Sequence, residues 1–150
     1  ENKKSTEIYP WDLVNIIFSK QKKLTNEIID KFCNDETVFR QFLSYFNKEL
    51  QRLLLIYKYD EKKVAEVLSE KVDYKYELAQ KRRDKLNVID LENSLSMIYK
   101  IEKLNTNSSF NQENAKRFVV SIKNLLQFWN SGFISISIIF SYYSVGIGSI

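Results

Sequence analysis

Residues 35–57 read DETVFRQFLSYFNKELQRLLLIY, and they contain the strongest helical pattern in the chain. Its apolar side chains recur at spacings of three and four positions, namely Phe39, Phe42, Leu43, Phe46, Leu50, Leu53, Leu54 and Tyr57. That period lines them up on one face of an α-helix, and Asp35 is a residue type that caps helix N-termini. We therefore predict a long amphipathic helix whose apolar face packs against other helices.

Three further helices are predicted around it in the first 85 residues. Pro10 suits the first turn of a helix that runs to about Lys22, because proline at this position loses no helical hydrogen bond. Thr25 can cap a short second helix, since its hydroxyl can accept a backbone hydrogen bond. Asp60 can cap another helix, the fourth along the chain, which we expect to continue through about Lys85.

Two more helices complete the pattern toward the C-terminus. Asp90 is predicted to cap the fifth helix, which ends at a polar loop over residues 105–109. Ser109 and Gln112 then have the spacing of a capping box, in which each side chain bonds a backbone N–H of the other residue. Gly132 is placed to end the sixth helix in the left-handed conformation.

The composition agrees with an all-α protein. Apolar residues make up 44% of the 150 positions, which suffices for one continuous core. The single proline and the three glycines, all at or beyond position 132, are too few for a chain rich in turns and strands. We predict a single compact bundle of about six amphipathic helices over residues 1–132, followed by an uncharged C-terminal extension over residues 133–150.

The extension has three interpretations that the sequence leaves open. Residues 124–150 contain no charged side chain, and about 20 apolar residues suffice for a helix to cross a bilayer. Isoleucine and serine alternate over residues 134–138, which is the period of a strand with one buried face. The segment can therefore be a tail packed on the helices, a membrane-inserted helix or a pair of strands.

Residues with catalytic or metal-binding chemistry are scarce. The chain has no histidine, and its one cysteine, Cys33, lies beside Phe32 on the predicted second helix. A lone cysteine there is typical of a buried apolar side chain, and the sequence indicates no base that would activate it as a nucleophile. We therefore predict no metal, no cofactor and no enzymatic activity.

Positive charge is dispersed along the chain. A formal charge of +4 results from 23 basic and 19 acidic residues that are interleaved. The densest basic group is Lys81, Arg82, Arg83 and Lys85. These side chains can bind phosphates, but they also lie where positive charge stabilises a helix C-terminus, and Glu77, Asp84 and Asp90 dilute their field. We therefore expect a protein partner rather than nucleic acid.

Four short segments resemble blocks of one known domain family. They are VFRQFLSYFNKEL at 38–50, LNVID at 86–90, SSFNQENAKRF at 108–118 and LLQFWNSGF at 125–133. In the same order, they are similar to blocks of the regulator of G-protein signalling (RGS) homology domain. The shared features are a Phe-x-x-Phe-Leu pattern, a loop triplet with a central asparagine, and two late segments with aromatic residues.

The resemblance implies an all-α interaction domain that binds a Gα-type GTPase or acts as a scaffold. Residues at or near the matching positions would contact the partner, namely Glu49, Asn87, Val88 and Ser131. Asn87 would approach the switch regions of the GTPase and hold the geometry of the transition state. We expect such a protein to be cytoplasmic. The alternative function is a membrane-associated helical protein that is anchored through residues 133–150.

Overall fold

Residues 7–127 are described by the computed structural model, and they fold into seven α-helices with no strand among them. The helices are α1 (Pro10–Phe18), α2 (Asn26–Cys33), α3 (Glu36–Leu55), α4 (Glu61–Leu68), α5 (Tyr74–Arg83), α6 (Val88–Asn107) and α7 (Gln112–Gln127). The predicted all-α bundle is confirmed over this range. Gly132 and the extension at 133–150, with its three interpretations, lie outside the described residues.

The α3 helix is the centre of the bundle. It packs against α1, α2, α4, α5 and α6, and most of its predicted apolar face is buried. Phe39, Phe42 and Phe46 are fully buried and meet Phe118 of α7, with ring centres 6.1 to 6.4 Å apart. Burying one phenylalanine side chain contributes about 1.5–3 kcal/mol. The phenylalanine stripe therefore joins α7 to α3 through the core.

Four of the predicted helix starts are confirmed. Pro10 is the first residue of α1. Thr25, Asp35 and Asp60 each precede a helix, and each side chain accepts a hydrogen bond from the backbone N–H three residues later. These bonds satisfy N–H groups that the helix itself leaves without a partner, and each stabilises its helix end by about 1 kcal/mol.

The first helix is shorter than predicted, because α1 ends at Phe18 rather than near Lys22. Ser19 leaves the helical conformation, and its hydroxyl accepts hydrogen bonds from the backbone N–H groups of Gln21 and Lys22. Lys123 of α7 also holds this loop, since its ammonium group donates to the carbonyl of Ser19 at 2.6 Å. The end of α1 is thus fixed by bonds within the loop and by a distant helix.

The predicted fourth helix is two helices. Ser69 ends α4 in the left-handed conformation, with φ 57° and ψ 50°, and Asp73 caps α5 by accepting from the N–H of Lys75. The break lets Glu70 approach Arg52 of α3, with which it forms hydrogen bonds of 2.8 and 2.9 Å. The prediction of one continuous helix was wrong. The turn contains no glycine or proline that would indicate it in the sequence, and it accompanies a pair whose two members are far apart in the chain.

The start of α6 also differs from the prediction. The N-cap is Asn87 and not Asp90, since Val88 is the first helical residue. The Asn87 side chain accepts a hydrogen bond from the N–H of Asp90 at 2.8 Å, and its amide group donates to the Asp90 carboxylate at 3.2 Å. Asp90 therefore lies in the first turn of the helix, where the helix dipole favours a negative charge, but burial of the carboxyl opposes this and raises its pKa.

The loop between α6 and α7 is shorter than predicted. Because α6 continues to Asn107, the polar run at 105–109 is largely helical and not a loop. Asn111, and not Ser109, is the residue before α7, and its side-chain oxygen accepts from the N–H of Asn114 at 2.9 Å. Asparagine caps helices as well as serine does, so the sequence contains two capping candidates and the structure uses the second.

Candidate functional site

A surface cleft lies where α1, α3 and α5 meet, and it has a volume of about 590 Å³. Trp11 and Asn15 line it from α1, Tyr45 and Glu49 line it from α3, and Arg82 lines it from α5. Aromatic side chains form the edge of the cleft, and charged side chains form its floor. These two parts have different structural roles.

Arg52 is the centre of the floor. It lies in the last turn of α3, where its side chain is 7% exposed and donates to two carboxylates. One is Glu49, which lies one turn earlier on the same helix. The other is Glu70, which accepts from the Nε and Nη2 groups of Arg52 at 2.8 and 2.9 Å. A guanidinium group that donates twice to one carboxylate forms the strongest kind of side-chain ion pair.

Arg82 reaches the floor from α5. Its Nη1 donates to Glu49 at 2.7 Å, and its Nη2 donates to the side-chain oxygen of Asn15 at 2.6 Å. Its guanidinium carbon lies 4.7 Å from the ring centre of Phe18, which is close enough for cation–π attraction. Glu49 therefore accepts from two arginines, and α1, α3 and α5 are joined by one set of bonds.

Tyr76 completes this set, which we call the ionic cluster: Asn15, Glu49, Arg52, Glu70, Tyr76 and Arg82. The Tyr76 hydroxyl donates to Glu70 at 2.6 Å. Burial alone would raise the pKa of the Glu70 carboxyl, but hydrogen bonds from Arg52 and Tyr76 outweigh burial and lower that pKa. Burial, together with the hydrogen bond to Glu70, raises the pKa of the Tyr76 hydroxyl. At neutral pH, Glu70 is thus a carboxylate and Tyr76 is uncharged.

The charges of the ionic cluster balance. Two carboxylates face two guanidinium groups, and each carboxylate accepts from an arginine. A residue that transfers protons needs a pKa near neutral pH, whereas the pKa of Glu70 is shifted away from it. The arrangement is that of a structural support, which fixes three helices and the side chains above them.

Trp11 and Tyr45 line the edge of the cleft, and Tyr9 stacks on Trp11 beside it. We call Tyr9, Trp11 and Tyr45 the aromatic rim. Their exposed fractions are 44%, 47% and 47%. Tyr9 and Trp11 stack with ring centres 4.8 Å apart, and Tyr45 meets Trp11 edge-on at 5.5 Å. Lys48, about one turn from Tyr45 on α3, is exposed beside them. Exposed tryptophan and tyrosine side chains that contact one another are typical of protein-binding surfaces.

The structure places the residues predicted to bind a partner in different settings. Glu49 is buried in the ionic cluster, so two arginines of the chain already bind its charge. Asn87 and Val88 lie at the start of α6, where Val88 is exposed and the Asn87 side chain caps the helix. Ser131 lies outside the described residues. Of the three that lie within residues 7–127, Val88 is the one whose apolar surface is accessible to a partner.

The predicted basic group contains two kinds of side chain. Lys81 and Lys85 are exposed at and after the end of α5. Arg82 belongs to the ionic cluster, and Arg83 donates to the carbonyl of Ile56 at 3.1 Å. The two arginines are therefore structural, because their guanidinium groups bind the domain itself, whereas the two lysines face solvent.

The sequence alone does not indicate that Trp11, Tyr45, Arg52 and Glu70 belong to one site. A signal for Arg52 does exist, because Glu49 and Arg52 have the three-residue spacing that brings side chains together on a helix. An arginine at the edge of an apolar stripe also indicates a buried ion pair. Glu70 has no such signal, since its position depends on the turn between α4 and α5.

Chemistry outside the cleft is limited among the described residues. Cys33 is fully buried, as predicted, and burial raises the pKa of its thiol to about 12, so the reactive thiolate is scarce at neutral pH. Within residues 7–127, no group of His, Cys, Asp and Glu side chains is arranged to hold a metal ion. No helix in this range combines the length and the apolar character needed to span a bilayer.

Comparisons of the chain with models of protein families, with curated proteins and with solved structures find no match. The resemblance to the RGS homology domain therefore stays a prediction. The function has to be inferred from the cleft, its aromatic rim and the charges around them.

Proposed function

We propose that this chain is a non-enzymatic protein-interaction domain that binds its partner through the aromatic rim and the cleft below it. The observation that carries the proposal is the exposure of three aromatic side chains in mutual contact, Tyr9, Trp11 and Tyr45. Removing such side chains from water is favourable, and a partner that covers them gains this free energy.

Two of the three rim side chains lie on helices that are joined before a partner arrives. Trp11 is in the first turn of α1 and Tyr45 is in the middle of α3, so neither side chain depends on a loop. Arg82 ties the two helices together by binding Asn15 of α1 and Glu49 of α3. A surface that is already rigid loses little conformational entropy on binding, which favours affinity.

The cleft indicates the chemistry of the partner segment. The charges of its floor balance, and Lys75 at its edge is paired with Asp73 at 3.0 Å, so Lys48 is the exposed cation at the Tyr45 end of the rim, whereas Glu7 and Asp12 lie beside Tyr9 at the other end. An apolar or aromatic side chain fits against Trp11 and Tyr45, and an acidic neighbour can reach Lys48. We therefore expect a peptide segment with an apolar anchor next to Asp or Glu.

A narrower form of the proposal is an RGS-like domain that binds a Gα-type GTPase, or a scaffold, through the start of α6. Val88 and Ile89 support it, because both apolar side chains are exposed there. In this narrower proposal, Asn87 stabilises the first turn of α6, since its side chain is hydrogen-bonded to Asp90. The surface that binds the GTPase would then be different from the aromatic rim.

Selection of peptides from a random display library tests the aromatic rim. We expect selected peptides to bind the variant Trp11→Ala/Tyr45→Ala at least about 30-fold more weakly than the unmodified chain, because side chains of this kind contribute about 2 kcal/mol or more at an interface. The matched control is Tyr59→Ala/Tyr99→Ala, which removes two tyrosines that are exposed elsewhere. Equal weakening in both variants would contradict the proposal.

Calorimetry with Gα subunits tests the narrower form. Each subunit is loaded with GDP alone or with GDP and aluminium fluoride, which mimics the phosphoryl group in transfer. We expect the chain to bind the fluoride state more tightly than the GDP state. The variant Val88→Ala/Ile89→Ala should weaken this binding, and Trp11→Ala should leave it unchanged. Equal affinity for the two states, or no binding, would remove the GTPase from the proposal without affecting the aromatic rim.

A further inference from the structure

Lysine side chains surround Gln127, the last described residue of α7. Gln127 lines two clefts, with volumes of about 520 and 300 Å³. The exposed lysines that line them form a surface that we call the lysine patch: Lys20, Lys22, Lys23, Lys81 and Lys85. Because Lys20 and Lys22 line both clefts, the two clefts form one continuous surface around the end of α7.

The lysine patch carries charge of one sign. Within residues 7–127, no Asp or Glu is among the residues that line the two clefts. The acidic residues near Lys85 in the sequence line neither cleft: Asp84 is exposed and accepts from Arg83 at 3.2 Å, and Asp90 is buried and accepts from Asn87. Asp84 and Asp90 are close to Lys85 in the sequence. In the folded chain they are not part of the surface that the lysine patch forms.

Two separate parts of the chain supply the patch, and α7 helps to hold them in position. The loop after α1 carries three of its lysines, and the end of α5 with the residues just after it carries two. The ammonium group of Lys123 donates to the backbone carbonyls of Ile16, Ser19 and Lys22 at 2.7, 2.6 and 2.9 Å. The loop lysines thus project from a backbone that α7 fixes in place.

The chain that continues from this surface is uncharged. After Lys123, no residue up to Ile150 carries a charge. Basic side chains beside an uncharged segment that contains many apolar and aromatic residues are typical of the place where a protein meets a membrane. Each lysine near an anionic membrane surface increases binding about fivefold.

We propose that the lysine patch binds the anionic headgroups of a phospholipid membrane, at the end of α7 from which the uncharged segment 128–150 continues. The attraction is electrostatic, so it depends on the charge of the lipid and is weakened by salt. The patch contains no residue of the aromatic rim. This proposal and the protein-interaction function can therefore each fail while the other holds.

Co-sedimentation of the full chain with lipid vesicles tests the patch. We expect tighter binding to vesicles of phosphatidylcholine mixed with phosphatidylserine than to phosphatidylcholine alone, and salt should reduce the difference. The variant Lys81→Gln/Lys85→Gln should bind the anionic vesicles about 25-fold more weakly, at about fivefold for each lysine. The matched control, Lys62→Gln/Lys63→Gln, removes two exposed lysines that line neither cleft, and it should bind like the unmodified chain.

Three results would overturn the proposal. The first is equal affinity for neutral and anionic vesicles, or affinity for neither. The second is equal weakening in the control variant, which would assign the effect to net charge alone. The third is binding of a DNA or RNA duplex that Lys81→Gln/Lys85→Gln abolishes, without any preference for anionic vesicles. An unchanged melting temperature in both variants shows that folding is not the cause of a change.

Discussion

Arg52 is the residue on which the floor of the cleft depends most. It stands between the carboxylates of Glu49 and Glu70, and all three side chains are almost fully buried. Without its guanidinium group, Glu70 loses its ion pair with Arg52, and Glu49 keeps only the one with Arg82. We predict that Arg52→Ala lowers the free energy of unfolding by about 3–5 kcal/mol, as measured by urea denaturation.

Arg40 provides the matched control for this measurement. It pairs with Glu36 on the same helix, but these two side chains are 54% and 46% exposed. Exposed helical pairs contribute about 0.3–0.5 kcal/mol, because water screens the two charges. A loss in Arg52→Ala as small as that in Arg40→Ala would show that the ionic cluster does not support the cleft.

Glu70 makes the stability of the cluster depend on pH. Its pKa is lowered in the folded chain, so its charged form stabilises the fold above the pKa of an unfolded glutamate, and this contribution is lost as the pH falls through the lowered pKa. We predict that Glu70→Gln is less stable than the unmodified chain near neutral pH, and that the difference shrinks in acid. Denaturation at a series of pH values measures it, and a difference that is constant with pH would refute the electrostatic explanation.

At the scale of the helices, the turn between α4 and α5 holds backbone strain at Ser69. Its φ of 57° is the one positive value at a non-glycine residue within 7–127, and this conformation costs about 1–2 kcal/mol in residues with a Cβ atom. We predict that Ser69→Gly raises the free energy of unfolding by about 0.5–1 kcal/mol. Ser96→Gly, at an exposed position inside α6, should lower it by about 1 kcal/mol. A similar loss in both variants would show that Ser69 is not strained.

The contact between α7 and the end of α1 depends on Lys123. Its half-buried ammonium group donates to three carbonyls, and burial lowers the pKa of that group. Since hydrogen bonds to charged groups contribute about 1.5–3 kcal/mol, Lys123→Met should lower the free energy of unfolding by about 2 kcal/mol. Amide hydrogen exchange over residues 19–24 should become faster.

Lys116→Met is the control for Lys123→Met. Lys116 lies on the same helix and pairs with Asp30 at 3.3 Å, at a partly exposed position where an ion pair contributes little. We expect it to leave both stability and exchange over residues 19–24 nearly unchanged. If Lys123→Met behaves in the same way, the hydroxyl of Ser19 is sufficient to hold the loop.

The helix starts could be predicted because their signals are local. A capping side chain acts within three residues, so Asp35 and Asp60 could be identified without knowledge of the fold. The ends of α1 and α4 could not, because they depend on Lys123 and on the pair of Arg52 with Glu70. Those partners are far apart in the sequence and become neighbours when the helices pack.

At the scale of the whole molecule, the fold sorts charges that the sequence mixes. The arginines and carboxylates of the ionic cluster are brought together at the floor of the cleft, and the lysines of the patch are brought together at the end of α7. Neither group could be predicted as a whole, because Glu70 and Arg82 join Arg52 from other parts of the chain, and Lys81 and Lys85 join lysines of the loop after α1. The aromatic rim is a third example, since Trp11 and Tyr45 are on different helices.

The rate at which the Cys33 thiol is chemically modified measures how often the whole bundle opens. It is fully buried, and burial raises the pKa of its thiol to about 12. We predict that a thiol reagent modifies the native chain far more slowly than the chain in concentrated guanidinium chloride, because the reaction requires the core to open. Arg52→Ala should speed the reaction in the native state. Rapid modification of the unmodified native chain would show that α2 opens independently of the rest.

The ionic cluster also restricts how this sequence can change. A single substitution at Glu49, Arg52, Glu70 or Arg82 leaves a buried charge with a partner missing, whereas exchange of the whole set for apolar side chains of similar size costs little. Sequences in which only part of the cluster has been replaced are therefore less stable than sequences with the whole cluster or with none of it. We expect relatives of this protein to have all of these residues or none of them, so that the four positions co-vary.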